Sequence, residues 1–534
     1  MEFLLNITHN YLGIPIKTAA VKEQDLHILE IRSQEQKIME FRIPVSEQKP
    51  YAYDYLAYVK AEDYKGRELC LSGSLPSAFF EQVIQTDEPE KSVDIRPEIH
   101  FTAGRGWIND PNGLVFHDGI WHLFFQYNPM NTEWENMSWG HAVSRDLLHW
   151  QQKDVSMYPD EHGTVYSGCG LVNERGLFGL PTDALLFFYT AAGGTSQWSK
   201  GKQFVQRMAY SLDGGETVAK YKDWELRLYP ETEGVQKKEL PRAAFENRDP
   251  KVFWHEDSGA YIMILFLDAH DFAILRSENL KDWEKTQHLV FEDAWECPDL
   301  MELKADDGTK HWVFWSADGF YFVGEFDGWR FTGPGSHKEA YGTKLPYAAQ
   351  TYSGLTDRTV SVAWLRTRHE GRLYTGAMAV PRELALAKKG DGYRLRLSPV
   401  KELNQAREPF QTLHMTNGCV TYKEPGRPFW LRIDWKEGEP GNAFLTIGGA
   451  GWSIDRKHGT IRYYETPTGL TETYTAADGG PLNQFRVIVD RGIVEITANH
   501  DIIYLVYETT DYQMDGFLTY EGEEADIGVA LLKN

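Results

Sequence analysis

Cysteine is scarce in this chain. The 534 residues hold four, Cys70, Cys169, Cys297 and Cys419, with no CxxC pair and no metal-ligand spacing. That argues against a disulfide scaffold or a zinc module and leaves four free thiols, structural by expectation. Long apolar runs are also missing: none approaches the roughly 18 residues that a membrane-spanning helix needs. The first residues, Met1-Glu2-Phe3-Leu4-Leu5-Asn6, have neither a basic segment nor a long apolar one, so no secretory leader is expected. On that reading the protein is cytoplasmic, or secreted if a leader has been removed. Basic side chains are outnumbered, 55 Lys and Arg against 78 Asp and Glu, for a net charge of −23 spread along the chain. A surface of that sign does not suit nucleic acid or an anionic membrane as partner.

Aromatic residues are plentiful, 13% of the chain with 17 Trp, which fits many strands and ring-lined surfaces, although most such rings belong in cores. Alternating runs such as Ile28–Arg32, Ile38–Ile43 and Glu68–Ser72, separated by turns, predict a small β-sandwich-like module over 1–94, with a charged linker from Gln85 to Ser92. From 95 to 395 the chain is dense in short strands and has no long helix. Ser144-Arg145-Asp146-Leu147-Leu148-His149-Trp150 is echoed by Ser277-Glu278-Asn279-Leu280-Lys281-Asp282-Trp283, with weaker echoes at Lys222-Asp223-Trp224 and Asp327-Gly328-Trp329. Recurrent strand groups of this kind predict a β-propeller. A polar linker or short helix at 396–409 leads to a second alternating region, 410–534, read as a β-sandwich with a tight hairpin at Asp490-Arg491-Gly492.

Three acidic motifs stand out. Trp107-Ile108-Asn109-Asp110-Pro111-Asn112-Gly113 holds Asp110 between an amide and a proline, which suggests a rigid strand end followed by a turn. Asn247-Arg248-Asp249-Pro250 repeats the Asp-Pro device, and Trp295-Glu296-Cys297-Pro298-Asp299 sets a third carboxylate ahead of a proline. Any one of them alone could be an ordinary turn. In this order, together with Arg96-Pro97, His100-Phe101, Gln126-Tyr127-Asn128-Pro129, Trp139-Gly140-His141, Tyr166-Ser167-Gly168, Ala363-Trp364-Leu365 and Pro381-Arg382-Glu383-Leu384, they resemble glycoside hydrolase family 32, the invertases, inulinases and levanases.

The resemblance implies an all-β protein: a five-bladed β-propeller carrying the site, a C-terminal β-sandwich, and a levanase-type N-terminal module. That module could contact fructan, shape the rim of the site, mediate oligomer contacts or simply pack. The implied reaction is retaining exo-hydrolysis of terminal β-D-fructofuranosyl units from fructans, fructo-oligosaccharides or sucrose. Asp110 would be the nucleophile, Glu296 the acid/base and Asp249 the transition-state stabiliser, with Asn109, Gln126, Trp134, Tyr166, Ser167, Arg248 and Trp364 binding substrate. Trp107 could line the site or pack beneath it. The resemblance implies neither a metal nor an organic cofactor, and the expected partner is a fructose-containing saccharide. Oligomeric state is unknown at this level. A fructosyltransferase or an endo-acting fructanase would use the same triad, and a non-catalytic fructan-binding protein is the alternative from another class. Asn247, Cys169 and Ile108 depart from the family pattern, which leaves substrate preference open.

Overall fold

A computed structural model describes residues 2–18, 26–46, 48, 51–229, 241–334, 337–465, 469, 471–477 and 480–533. Among these residues α-helix is confined to Ser77–Phe80 and Glu402–Ala406, and nearly every strand pairing is antiparallel. No described helix is long and apolar enough to cross a membrane. The protein is an all-β, five-bladed propeller with a sandwich on either side of it in sequence.

Each blade is a sheet laid down in chain order from its innermost strand outward. The innermost strands are Gly106–His117 (blade I), Thr164–Val172 (II), Arg248–His255 (III), Asp299–Lys304 (IV) and Pro346–Thr351 (V). The second strand of blade III, Ala260–Asp268, explains the architecture best. It reads AYIMILFLD, an almost unbroken apolar run, because both of its faces are buried. Side chains alternate across a strand. Thus Ile262, Ile264 and Phe266 enter the core shared with blade IV, while Tyr261, Met263, Leu265 and Leu267 enter the one shared with blade II. Truncating any of them to Ala would cost about 2–5 kcal/mol. Equivalent cores join blades I and II, IV and V, and finally V and I, where Leu123 and Phe125 meet Val360 and Val362. Tyr374–Thr375 adds a short parallel pairing to Gly106–Trp107 and closes the ring.

The two strong Trp repeats are the same turn in two blades. Leu147 and Leu280 adopt φ of 65° and 60°. Asp146 and Asn279 accept backbone N–H bonds from the residues two and three positions on, and Trp150 and Trp283 each donate to the carbonyl three residues back at 3.0 Å. These are Asx turns between the third and fourth strands. Asp327-Gly328-Trp329 occupies the same place in blade IV. Lys222-Asp223-Trp224 does not: it lies inside the outer strand Ala219–Leu226.

Before the propeller, a four-stranded sheet (Glu2–Asn6, Glu68–Gly73, His27–Ser33, Gln36–Ile43) faces a three-stranded one (Tyr55–Lys60, Tyr11–Ile16, Ile84–Thr86) over a shared core. Part of the expected 85–92 linker is therefore strand, with Ile84–Thr86 paired to Tyr11–Gly13. Blade V's outer strand runs on to Pro399, and Glu402–Ala406 is a one-turn helix. Two six-stranded sheets then form the C-terminal sandwich around an apolar core. In its hairpin, Asp490 pairs with Ile493, and Arg491 and Gly492 both take positive φ, 38° and 83°. That is the two-residue type I′ geometry.

Candidate active site

Four of the five innermost strands carry the same irregularity at the same end. In blade I, Ile108 pairs with Tyr127 and Pro111 with Phe125, so Asn109 and Asp110 together oppose Gln126. Tyr166 and Ser167 oppose Thr190 in blade II, Asp249 and Pro250 oppose Leu265 in blade III, and Ala348 and Ala349 oppose Ala363 in blade V. A bulge of two residues against one breaks the alternation and re-aims side chains toward the axis. Proline, which has no N–H to lose, is tolerated there. The Asp-Pro-Asn-Gly segment is therefore not a strand end and turn, as its residues suggested, but the doubly bulged middle of one strand. Blade IV reaches the same point differently, with Glu296 and Cys297 at φ of 48° and 38° just before its first strand.

These distortions bring the three acids from blades I, III and IV into one cavity of about 670 Å³. Asp110, Asp249, Glu296 and all seven expected binding residues, Asn109, Gln126, Trp134, Tyr166, Ser167, Arg248 and Trp364, line it. Trp107 does not. Its indole donates to Asn109 Oδ1 at 2.8 Å and its ring meets Trp364 edge-on, so it supports two lining residues from behind. Cys169 lies outside the cavity as well, buried where Val252 N–H reaches its sulfur at 3.1 Å.

Each carboxylate is fixed by a different set of donors. Ser167 Oγ donates to Asp110 Oδ2 at 2.6 Å. Asp249 is 4% exposed; its Oδ2 accepts from Cys297 N at 3.2 Å, and its own N–H donates to Thr190 Oγ1. Glu296 is held on both oxygens, by Arg248 at 2.7 Å on Oε1 and by Tyr347 Oη at 3.0 Å on Oε2. Arg248 also bonds Glu246, lies 3.8 Å from Asp249 and covers the Phe266 ring.

Burial, together with the charges of Asp110 and Glu296, pushes Asp249 up to about 7 despite the neighbouring Arg248. Asp110 is also raised, by burial and then by Glu296, against the pull of Ser167. The Cys297 thiol, 3.6 Å from Asp110 Oδ2 and 3.5 Å from Asp249 Oδ2, is pushed well up by burial and by the surrounding acids. Asp110, Asp249 and Cys297 present ligand atoms within 4.8 Å of one another. The same oxygens are already engaged by the protein, Asp110 Oδ2 by Ser167 Oγ and Asp249 Oδ2 by the Cys297 N–H.

Several lining residues were not among those expected: Tyr347, Glu246, Met137, Thr195, Lys202 and Phe204. Glu246 sits two residues from Arg248 and could have been suspected as its partner. Tyr347, in Leu345-Pro346-Tyr347-Ala348, carries no local signal, because its bond to Glu296 exists only once blades IV and V are side by side.

Residues 100–399 match the family model described as the glycosyl hydrolases family 32 N-terminal domain. The chain is 31% identical over 466 residues to the levanase of Bacillus subtilis (strain 168), which is 76% of this chain and 65% of that protein's length. It is 30% identical over 473 residues to the extracellular exo-inulinase of Aspergillus awamori, covering 75% of this chain and 87% of that one. The solved structure of that exo-inulinase superposes with a TM-score of 0.72 at 25% identity, over 83% of this chain and 99% of the other. A glycoside hydrolase family 32 structure from Bifidobacterium adolescentis shares the fold over 100% of this chain and 99% of its own, with a TM-score of 0.68 and 19% identity.

Proposed function

Starting from the fact that this chain belongs to glycoside hydrolase family 32, we propose that it is a retaining exo-β-fructosidase. It would release terminal fructofuranosyl units from fructans, fructo-oligosaccharides or sucrose. One observation carries the reading: three carboxylates remote in sequence line one cavity, each with a different hydrogen-bonding environment.

A glycosidic bond breaks through an oxocarbenium-like transition state that needs a proton on the leaving oxygen and an anion at the anomeric carbon. Asp110 is the nucleophile. Ser167 occupies its Oδ2 and orients the carboxylate, so that Oδ1 can attack the anomeric carbon and form a fructosyl-enzyme. Glu296 gives its proton to the departing oxygen, then takes one from the water that hydrolyses the intermediate. Arg248 and Tyr347 stabilise the Glu296 carboxylate formed by the first transfer. Asp249 accepts hydrogen bonds from ring hydroxyls. Bonds to a carboxylate that tighten as the ring flattens favour the transition state over the ground state. Asn109, Gln126 and the rings of Tyr166 and Trp364 complete the pocket around the sugar, with Trp134 at its mouth.

The test is a time-resolved product profile on sucrose, 1-kestose, inulin and levan, with Asp110→Asn as the blank. Fructose from the first time point, accompanied only by the shortened substrate (glucose from sucrose, sucrose from 1-kestose), supports exo-hydrolysis; early longer oligomers point to a transferase, and an early ladder of short ones to endo-attack. Asp110→Asn should lose turnover by at least about a thousandfold while keeping its fold. For Glu296→Gln the loss should be smaller on an aryl fructoside whose leaving group needs no proton. Equal losses on both substrates would remove Glu296 from the acid role.

A further inference from the structure

One wall of the cavity is built by two loops, each joining the second and third strands of a blade. In blade I the loop is 129–137, contributing Trp134 and Met137. In blade II it is 193–203, contributing Gly193, Thr195 and Lys202 among others. The corresponding connection in blade III is two residues, 269–270. Loops as long as the first two need something to hold them, since exposed backbone without partners fluctuates.

Both loops are held by the same strand, Gln36–Ile43, which belongs to the N-terminal module rather than to the propeller. Arg42 and Asn136 bond reciprocally: Arg42 N–H donates to Asn136 Oδ1 at 2.7 Å, and Asn136 Nδ2 donates to the Arg42 carbonyl at 2.8 Å. The Asn136 amide thus stands in for one residue of a paired strand. Arg42 adds an ion pair with Glu135 at 3.1 Å. On the second loop, Glu40 Oε1 accepts the Trp198 N–H at 3.1 Å while Lys37 holds its other oxygen at 2.6 Å and lies over the Trp198 ring. Glu40 is 4% exposed, so this carboxylate is committed to the contact. Met130, at the start of the first loop, is wholly buried in the N-terminal module's own apolar core, and Tyr55 Oη donates to the Pro129 carbonyl at 3.0 Å.

We propose that the N-terminal module sets the position of this wall, with Glu40 and Arg42 as positioning residues, and that it thereby tunes selection for substrates extending beyond the terminal sugar. Trp134 is 47% exposed, whereas Asp249 at the acids is 4% exposed. Trp134 therefore stands at the mouth, where it meets the part of a bound saccharide that protrudes. The assignment to saccharide length rests on the exo-fructosidase reading; the positioning itself does not.

Two measurements separate these. Hydrogen exchange should show faster exchange of amides in 193–203 for Glu40→Ala and in 129–137 for Asn136→Ala, with the blade strands unchanged. Glu40→Gln keeps one acceptor oxygen but turns an amide NH2 toward either the Trp198 N–H or Lys37 Nζ, so its exchange in 193–203 should fall between wild type and Glu40→Ala. Unchanged loop exchange in both alanine variants would overturn the positioning role. In kinetics, Asn136→Ala, in the loop that carries Trp134, should raise KM for levan or inulin by about tenfold, with kcat and turnover of sucrose within about twofold of wild type. Equal losses on short and long substrates would overturn the length-selecting role, and so would unchanged KM for the polymers. Wild-type protein inert on every fructoside would instead refute the functional reading and the length assignment with it, leaving exchange as the test of positioning.

Discussion

Asp249 shows how the site works against the fold that holds it. Its carboxyl is raised to about 7 by burial and by two nearby acids, with Arg248 giving only partial relief. A group whose folded pKa lies above its unfolded value of about 3.9 binds its proton more tightly in the native state. Stability is therefore unaffected below the unfolded value and falls as pH rises from about 4 to about 7, after which the full penalty persists. Asp249→Asn removes that penalty. The variant should melt a few degrees (~2–8 °C) above wild type at pH 8, with the gap closing toward pH 4, while losing nearly all turnover. Differential scanning calorimetry across that pH range checks it. A gap that stays constant with pH would mean that packing, not charge, separates the two proteins. Cys297 belongs to the same balance: its weak S–H contacts lie against both Asp110 and Asp249 without adding a charge of their own.

At the level of strands, the bulges matter more than the residues they display. Gly168 closes the bulge in blade II at a point where a Cβ would fall 1.9 Å from the Phe188 carbonyl oxygen. Gly168→Ala must push the first strand of blade II off the second, carrying Ser167 away from Asp110. Turnover should fall at least about tenfold at temperatures where the protein remains folded, with a destabilisation of about 1–3 kcal/mol. Normal activity in that variant would show that Ser167 does not depend on the bulge. This scale also marks how far the sequence could be read. The alternation in Ile28–Arg32, the Asp490-Arg491-Gly492 turn and the Leu-x-x-Trp repeat (Leu147 to Trp150, Leu280 to Trp283) are local patterns, and local pairing follows them. The ten cavity residues were legible through motif order, since family resemblance records the outcome of folding without deriving it. Bulges leave no such mark. Asp-Pro-Asn-Gly reads as a turn because the same residues suit both, and only the partner strand decides. Tyr347 and the Glu40–Trp198 contact were illegible for the same reason, since each joins residues from different sheets.

Over the whole molecule, the C-terminal sandwich is joined to the propeller by a buried ionic knot rather than by apolar contact alone. Asp490, at the hairpin turn, accepts the backbone N–H groups of Glu98, Ile99 and His100 and the His100 ring nitrogen Nδ1 at 2.9 Å. The other ring nitrogen of His100 lies 3.1 Å from Glu495, which also accepts the Val380 N–H and pairs with Arg382 of blade V. His100, Asp490 and Glu495 are fully buried, so removing one partner strands the others and should cost about 3–5 kcal/mol. Hydrogen bonding from His100 and from the backbone, against the cost of burial, holds Asp490 below the ordinary carboxylate range. A depressed folded pKa contributes stability that is complete above the unfolded value and is lost as pH falls toward the folded one. The junction should accordingly weaken below about pH 4, while the apolar cores on either side persist. In scanning calorimetry, Asp490→Asn should split one transition into two at neutral pH, and wild type should show the same split only in acid. Limited proteolysis should then cut the chain between blade V and the sandwich, around 400–410. A single transition in Asp490→Asn, shifted but unsplit, would mean that the shared apolar contacts of Trp430 and Ile488 with the propeller bind the two parts without help from the knot.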